Sequence, residues 1–207
     1  EAIPIEDKSA DVVTSNCVIN LSPDKPKVFA EMWRILKDHG RAVIADIVSD
    51  REVPPKLKVN EQLWGECIVG ALTEEQFLAM LEQAGFYGLS VLKKTYWKTI
   101  EGFHFSSVTV QGFKFEKTLG LDQGGQGQGC TYIGQTAIYG GPFKAVLDEE
   151  GHLFPRNVAI SVCTDTASKL LHPPYAGFFT IVEPDGSRTE LIMTGCCPPG
   201  GNGSGCC

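Results

Sequence analysis

Two cysteines stand at positions where α/β enzymes bind their ligands. Cys17 directly follows the apolar run Asp11–Asn16, and Cys67 lies in a segment that also carries Trp64 and Gly65. If Asp11–Asn16 is a parallel strand, Cys17 lies at its carboxyl end, where open α/β sheets bind ligands. Thiolate sulfur is a soft donor that selects soft metals and metalloids. The two thiols therefore indicate a thiophilic substrate.

The residues around Cys17 predict a strand–helix–strand unit. Asp11–Asn16 and Arg41–Val48 are apolar runs typical of buried parallel strands. Ser22 and Pro23 predict the start of a helix between them, and Gly40 predicts its end. The apolar side of that helix consists of Val28, Phe29, Met32, Trp33 and Leu36.

Further helices and strands are predicted around and after Cys67. Residues 56–71 are predicted to be helical, with Cys67 on the apolar side. Thr73–Gln76 reads as a capping box, which predicts another helix that ends at Gly85. Two strand-like runs follow, over residues 88–96 and 103–115, and the second alternates over part of its length as antiparallel strands do.

The second half of the chain differs in composition from the first. Residues 117–129, rich in glycine and glutamine, are predicted to be a linker, and 130–195 a small β-rich module. The glycines of the linker do not predict a phosphate-binding loop, because no strand pattern precedes them. Residues 196–207 predict a flexible cysteine-rich tail. Cys130 and Cys163 carry no motif and are interpreted as small hydrophobic residues of the module.

Composition narrows the class of protein. The chain has 207 residues, a net charge of −7 and 43% hydrophobic residues, so a packed core is expected. The sequence contains no basic stripe of the kind that binds nucleic acid or an anionic membrane, and it contains no apolar run long enough for a transmembrane helix. Neither a signal peptide nor an initiator methionine is present, so we expect part of a longer cytoplasmic chain whose eight cysteines are reduced.

The strings SNCVINLSPDKPKVFAEMWRILK, LWGEC and GALTEEQF resemble the arsenite S-adenosylmethionine methyltransferases, a class I methyltransferase family. The resemblance covers about the first half of the chain. It implies an α/β fold in which residues 1–116 form the C-terminal half of the catalytic sheet, followed by the small β-rich (α+β) module. Residues 11–16, 41–48, 88–96 and 103–115 would be the fourth to seventh strands, and residues 49–72 a substrate-binding insertion.

Residues 1–10, which precede the strand Asp11–Asn16, do not match the glycine-rich cofactor loop of this family. Asp11–Asn16 is therefore expected to be an apolar edge strand.

The resemblance also implies a reaction: methyl transfer from S-adenosylmethionine to trivalent arsenic, a detoxification step. Cys17 and Cys67 match the family's arsenic site and would be both its substrate-binding and its catalytic residues. Arsenic held by thiolates would keep its lone pair open toward the methyl group, so the enzyme mainly positions the reactants. Asn16 either contacts the cofactor or only forms the turn. A small-thiol or thioredoxin-type reductant is the expected partner, and the oligomeric state is expected to be a monomer.

The tail contains two cysteine pairs, Cys196–Cys197 and Cys206–Cys207. They could capture arsenite, relay electrons that return oxidised arsenic to As(III), or be dispensable. Glu66 is interpreted as structural, because the reaction requires no proton to be removed from arsenic. The four histidines are not spaced as metal ligands, and His39 is placed at a helix C-terminus, so no metal site beyond arsenic is expected.

Two other functions stay open at this point. A class I methyltransferase could act on a different small nucleophile. A non-catalytic cysteine-rich protein could bind arsenic or another soft metal, and the unmatched cofactor loop favours this second possibility.

Overall fold

The structure, a computed structural model, describes residues 2–58, 67–117 and 131–190. The chain divides between Glu116 and Lys117 into two compact units. The predicted linker, Cys130, Glu66 and all four tail cysteines lie outside the described residues, apart from Lys117 at the start of the linker. In the part of the chain that is described, no helix has the length and apolar character needed to cross a membrane.

The first unit is built on one mixed sheet. Its strands are β1 (Ala10–Asn16), β2 (Leu36–Ser49), β3 (Leu72–Thr73), β4 (Tyr87–Ile100) and β5 (Phe103–Phe113). They lie in the order β1-β2-β5-β4, and the short β3 pairs with the end of β2. β1 and β3 run parallel to β2, whereas β5 runs antiparallel to both β2 and β4. The predicted α/β fold and its four principal strands are confirmed.

Helices cover the sheet and close its core. They are α1 (Lys25–Ile35), α2 (Pro55–Lys58) and α3 (Glu74–Gln83), with a 3-10 turn at Ile19–Leu21. Phe29 of α1 and Phe77 of α3 pack edge to face, 5.8 Å between ring centroids, and both are fully buried. This aromatic contact fixes both helices against the buried Ile44 and Val110 of the sheet.

The limits of α1 differ from the prediction. Asp24, not Ser22, caps the helix, because its carboxylate accepts a hydrogen bond from the Lys27 amide at 3.1 Å. The helix ends at Ile35 rather than at Gly40, since Leu36 already has an extended backbone and begins β2. Gly40 therefore lies inside a strand.

His39 also lies in β2, so its predicted place at a helix C-terminus is wrong. Its ring packs on Phe115 with 5.6 Å between centroids.

The predicted helix over residues 56–71 is wrong at its C-terminal end. α2 covers Pro55–Lys58, and residues 67–71 form turns rather than a helix. Cys67 has a φ of 60°, which lies outside the helical region. The prediction for the next helix is confirmed, because Thr73 and Gln76 form both bonds of a capping box and Gly85 supplies the positive φ after the end of α3.

The second unit is mostly β, as predicted. It contains β6 (Thr136–Tyr139), β7 (Ala145–Leu147), β8 (Leu153–Pro155), β9 (Ala159–Ser161), β10 (Phe179–Val182) and β11 (Arg188–Thr189). Four of these strands form a sheet in the order β11-β10-β6-β9, and β7 and β8 form a hairpin. Its core is formed by buried residues that include Tyr139, Phe154, Phe179 and Ile181.

One helix of this unit, α4 (Thr164–Leu171), has no counterpart in the predictions. Its first turn is capped by Cys163, whose sulfur accepts from the Thr166 amide at 3.5 Å. Cys163 is also disulfide-bonded. The expectation that Cys163 is a reduced, purely hydrophobic residue is therefore wrong.

The capping box of α3 yields a direct prediction. Thr73→Ala removes the hydroxyl that accepts from the Gln76 amide at 3.2 Å, and we expect it to lower the free energy of unfolding by about 1 kcal/mol. Thr73→Ser keeps the hydroxyl and serves as the matched control. Chemical denaturation followed by circular dichroism measures both variants. Equal stability of Thr73→Ala and Thr73→Ser would show that the cap contributes nothing.

Candidate functional site

The candidate site begins where β1 ends. Asn16 is the last residue of β1, and the Cys17 amide continues its pairing with β2 by donating to the Ala45 carbonyl at 2.8 Å. Cys17 is exposed and its thiol is free. The predicted location of Cys17 at the carboxyl end of a parallel strand is therefore what the structure shows.

Cys67 lies in contact with the same turn, although it is distant in sequence. Its thiol donates to the Cys17 carbonyl oxygen at 3.0 Å. The side chain is 6% exposed and is packed in a cluster that includes Ile47, Ile68 and Phe105. The structure thus brings together the two cysteines that the sequence singled out, one exposed and the other buried.

Both cysteines have a left-handed backbone. The φ angle is 50° at Cys17 and 60° at Cys67. Residues other than glycine rarely adopt this conformation, and such strained residues concentrate at functional sites. The surrounding contacts therefore hold both thiols in conformations that the local sequence does not favour.

A buried carboxylate lies beneath the turn. Asp46 is fully buried near the carboxyl end of β2 and accepts hydrogen bonds from three amides, those of Ile19 at 3.0 Å, Asn20 at 3.3 Å and Ile47 at 2.8 Å. Asn20, itself buried, donates its side-chain amide to the Ile47 carbonyl at 2.7 Å. No short motif marks either Asp46 or Asn20, because both act through contacts with residues that are distant in sequence.

Gly70 lets the Cys67 segment approach this turn closely. A Cβ atom at position 70 would lie 1.9 Å from the Asn20 carbonyl oxygen and 3.0 Å from the Lys25 ammonium nitrogen. The first distance is impossible for any side chain, and the atom it meets belongs to the backbone. Glycine is therefore required for the two cysteine segments to pack together.

The electrostatics of the site favour protonated thiols. Partial burial, followed by the negative charge of Asp46, raises the pKa of Cys17 above its ordinary value. Burial, Asp46 and Cys17 together raise the pKa of Cys67. Burial also raises the pKa of Asp46 itself, against the opposing effect of its three amide donors and of Lys25. At neutral pH the site therefore presents two neutral, soft sulfur donors on two residues that contact each other.

Asn16 is exposed at the end of β1. Among the described residues β1 pairs only with β2, and Val12 on β1 is 44% exposed. The expected apolar edge is thus present, and Asn16 stands at the end of that edge next to Cys17.

The second unit contains a cluster of residue types that bind metals, Asp148, Glu150 and His152. The Lys169 ammonium lies 3.1 Å from Asp148 and 3.3 Å from Glu150, which is where a cation would sit. Although burial opposes it, hydrogen bonds from His152 and the charge of Lys169 keep the pKa of Asp148 below its ordinary value. The cluster is thus an ion-pair network, and its lysine belongs to α4.

The backbone of Cys17 gives a prediction that is independent of function. Cys17→Gly relieves the left-handed strain, so we expect it to be about 1 kcal/mol more stable than Cys17→Ala. Ser15→Gly and Ser15→Ala, within the extended β1, form the control pair and should show the opposite order. Thermal and chemical denaturation measure all four variants. The same order at both positions would contradict the strained conformation of Cys17.

Comparison with known proteins is consistent with this arrangement. Residues 1–85 match a family model described as a methyltransferase domain, and residues 126–201 match a domain of unknown function. The arsenite methyltransferase of Aquipseudomonas alcaligenes is 32% identical over 94% of this chain and 57% of its own length. The human arsenite methyltransferase is 30% identical over 89% of this chain and 49% of its own length.

A solved structure shows the same relationship. The arsenic(III) S-adenosylmethionine methyltransferase of Chlamydomonas reinhardtii has a TM-score of 0.53 and 31% identity, and the match covers 91% of this chain and 64% of that one. The chain spans about half the length of the curated relatives it matches. Over nearly its whole length, the chain is therefore similar to the arsenite S-adenosylmethionine methyltransferases, and the resemblance expected from its sequence is confirmed.

Proposed function

We propose that Cys17 and Cys67 bind trivalent arsenic and that the protein transfers a methyl group to it from S-adenosylmethionine. One observation carries the proposal: two free cysteines, distant in sequence, come into contact at the carboxyl end of β1, where the Cys67 sulfur lies 3.0 Å from the Cys17 carbonyl oxygen. Relatives over most of the chain are named arsenite methyltransferases, which supports the same substrate.

The protonated state of the thiols suits arsenous acid, As(OH)₃. Each thiol replaces one hydroxyl group on arsenic: an As–S bond forms, an As–O bond breaks, and the thiol proton leaves with the hydroxyl as water. The exchange needs no outside base or acid, so the raised pKa values of Cys17 and Cys67 do not prevent binding. Two such exchanges give a chelate, and a third sulfur from a small thiol or an accessory cysteine completes a pyramid with its lone pair on the open side.

The described residues fit one side of a cofactor site. Asn16 is exposed at the carboxyl end of β1, where doubly wound sheets bind their cofactors, and its amide can both donate and accept hydrogen bonds. When bound, S-adenosylmethionine supplies the methyl group from its sulfonium centre. The neighbouring Cys17 would hold arsenic on the same side of the sheet as Asn16.

Turnover of this reaction requires a reductant. Methylation by a sulfonium oxidises arsenic from As(III) to As(V), so two electrons must return before the next cycle. We propose that a small thiol or a thioredoxin-type protein supplies them in the reducing cytoplasm, as part of arsenic detoxification. Cys196, Cys197, Cys206 and Cys207 are proposed as accessory thiols for capture or reduction.

The thiol pair is tested by arsenite binding. The background is a variant with serine at Cys196, Cys197, Cys206 and Cys207, because tail thiols would also bind arsenic. In that background, Cys17→Ser and Cys67→Ser should each weaken arsenite binding by at least about tenfold, since a hard hydroxyl replaces one of two soft donors. Titration calorimetry measures the affinity, and circular dichroism verifies the fold. Unchanged affinity in either variant would remove that cysteine from the site.

A second function, arsenic sequestration without methyl transfer, would need only the two free cysteines, Cys17 and Cys67, that the structure brings into contact. Calorimetry with S-adenosylmethionine distinguishes the two. Binding at micromolar concentration that weakens in Asn16→Ala, with Asp11→Ala as the control on the same strand, would support methyl transfer. Arsenite binding without any binding of S-adenosylmethionine would favour sequestration for this chain.

A further inference from the structure

The charged carboxylate of Asp46 lies in the protein interior, where an unpaired charge lowers the stability of the fold. The carboxylate is fully buried, and an ionised group in a protein interior is stable only when it is paired or well hydrogen-bonded. Oδ2 accepts from the amides of Ile19 and Asn20, and Oδ1 accepts from the amide of Ile47. Lys25 adds a favourable charge nearby. All three hydrogen bonds are made by backbone amides, so they fix the path of the chain.

The bonds of Asp46 fix the segment that follows Cys17. The 3-10 turn Ile19–Leu21 begins two residues after Cys17, and two of its three amides are held by the same carboxylate oxygen. The Asn20 side chain adds a bond in the other direction, to the Ile47 carbonyl. The turn is thereby tied to β2 at two neighbouring residues.

The same turn also locates Cys67. The backbone of Gly70 packs directly on the Asn20 carbonyl, and the Cys67 thiol donates to the Cys17 carbonyl. The Asn20 amide is bonded to Asp46, and Cys17 lies two residues before Ile19, whose amide is also bonded to Asp46. Movement of the turn would therefore displace both sulfur atoms relative to each other.

We propose that Asp46 is the positioning residue of the thiol pair: through the Ile19 and Asn20 amides it sets the relative placement of Cys17 and Cys67 that lets one thiophilic atom bind both. The proposal deepens the proposed function and rests on it for the identity of that atom. Asp46 has a second effect, because its negative charge discourages thiolate formation at both cysteines. Thiols are less readily oxidised and alkylated than thiolates, so the pair is kept available for arsenic.

Asp46→Asn separates these effects from a general loss of stability. The amide places N–H groups against backbone donors, which loosens the turn, and it removes the charge. In the background without tail cysteines, we expect the affinity for phenylarsine oxide, an arsenical that takes two thiols, to fall by about tenfold or more. We also expect the midpoint pH for iodoacetamide alkylation of Cys17 and Cys67, measured by mass spectrometry, to move downward. Circular dichroism must show that the variant is folded, because unfolding would also expose the two thiols and lower the midpoint.

Two further variants complete the test. Asp11→Asn makes the same change at an exposed carboxylate of β1 and should leave both measurements as in the parent. Asn20→Ala removes the side-chain bond to the Ile47 carbonyl and so loosens the turn, but it keeps the negative charge of Asp46. It should therefore weaken phenylarsine oxide binding without moving the alkylation midpoint. If Asp46→Asn does not fold, this variant replaces it in the test.

The proposal is overturned if folded Asp46→Asn binds phenylarsine oxide within about twofold of the parent. If Asp46→Asn fails to fold, unchanged binding in Asn20→Ala overturns it. If the parent chain binds no arsenical while the midpoint still shifts in Asp46→Asn, the arsenic function fails and the electrostatic control by Asp46 stands.

Discussion

The hydrogen bonds between the buried Asp46 carboxylate and three backbone amides are the constraint on which the candidate site depends. Removing a carboxylate from water costs several kcal/mol, and the cost is offset only if its oxygens are fully hydrogen-bonded. Asp46 obtains these bonds from the end of its own strand and from the turn after β1. The turn that satisfies Asp46 is the same turn that presents Cys17, so the burial of one group and the geometry of the other are coupled.

The sheet topology brings the parts of this site together. β1 pairs in parallel with β2, with Asn16 opposite Ala45, which places Cys17 beside the residue that precedes Asp46. The chain then leaves β2 and returns through β3, whose two residues pair with Val48 and Ser49 at the end of β2. Because β3 follows Cys67 by only a few residues, this short pairing returns the second cysteine to the first.

In the second unit, the buried carboxylate of Asp148 is stabilised by a lysine side chain rather than by backbone amides alone. There the Lys169 ammonium lies 3.1 Å from Asp148, 3.9 Å from Glu149 and 3.3 Å from Glu150, so its charge offsets part of theirs. At Asp46 the neutralising groups are mainly backbone dipoles, and the negative charge still acts on nearby thiols.

The sequence by itself determined the α/β fold, the principal strands, the capping box of α3 and the choice of Cys17 and Cys67, because these depend on local apolar patterns and on short motifs. It misplaced the end of α1 and extended a helix to Cys67, since Gly40 and the residues near Cys67 are governed by pairing with distant strands and by positive φ. Only the tertiary structure showed that the Cys67 thiol contacts the Cys17 backbone, that Asp46 and Asn20 hold the turn, and that Gly70 permits the contact. Each of these interactions joins residues more than twenty positions apart, which no local pattern can encode.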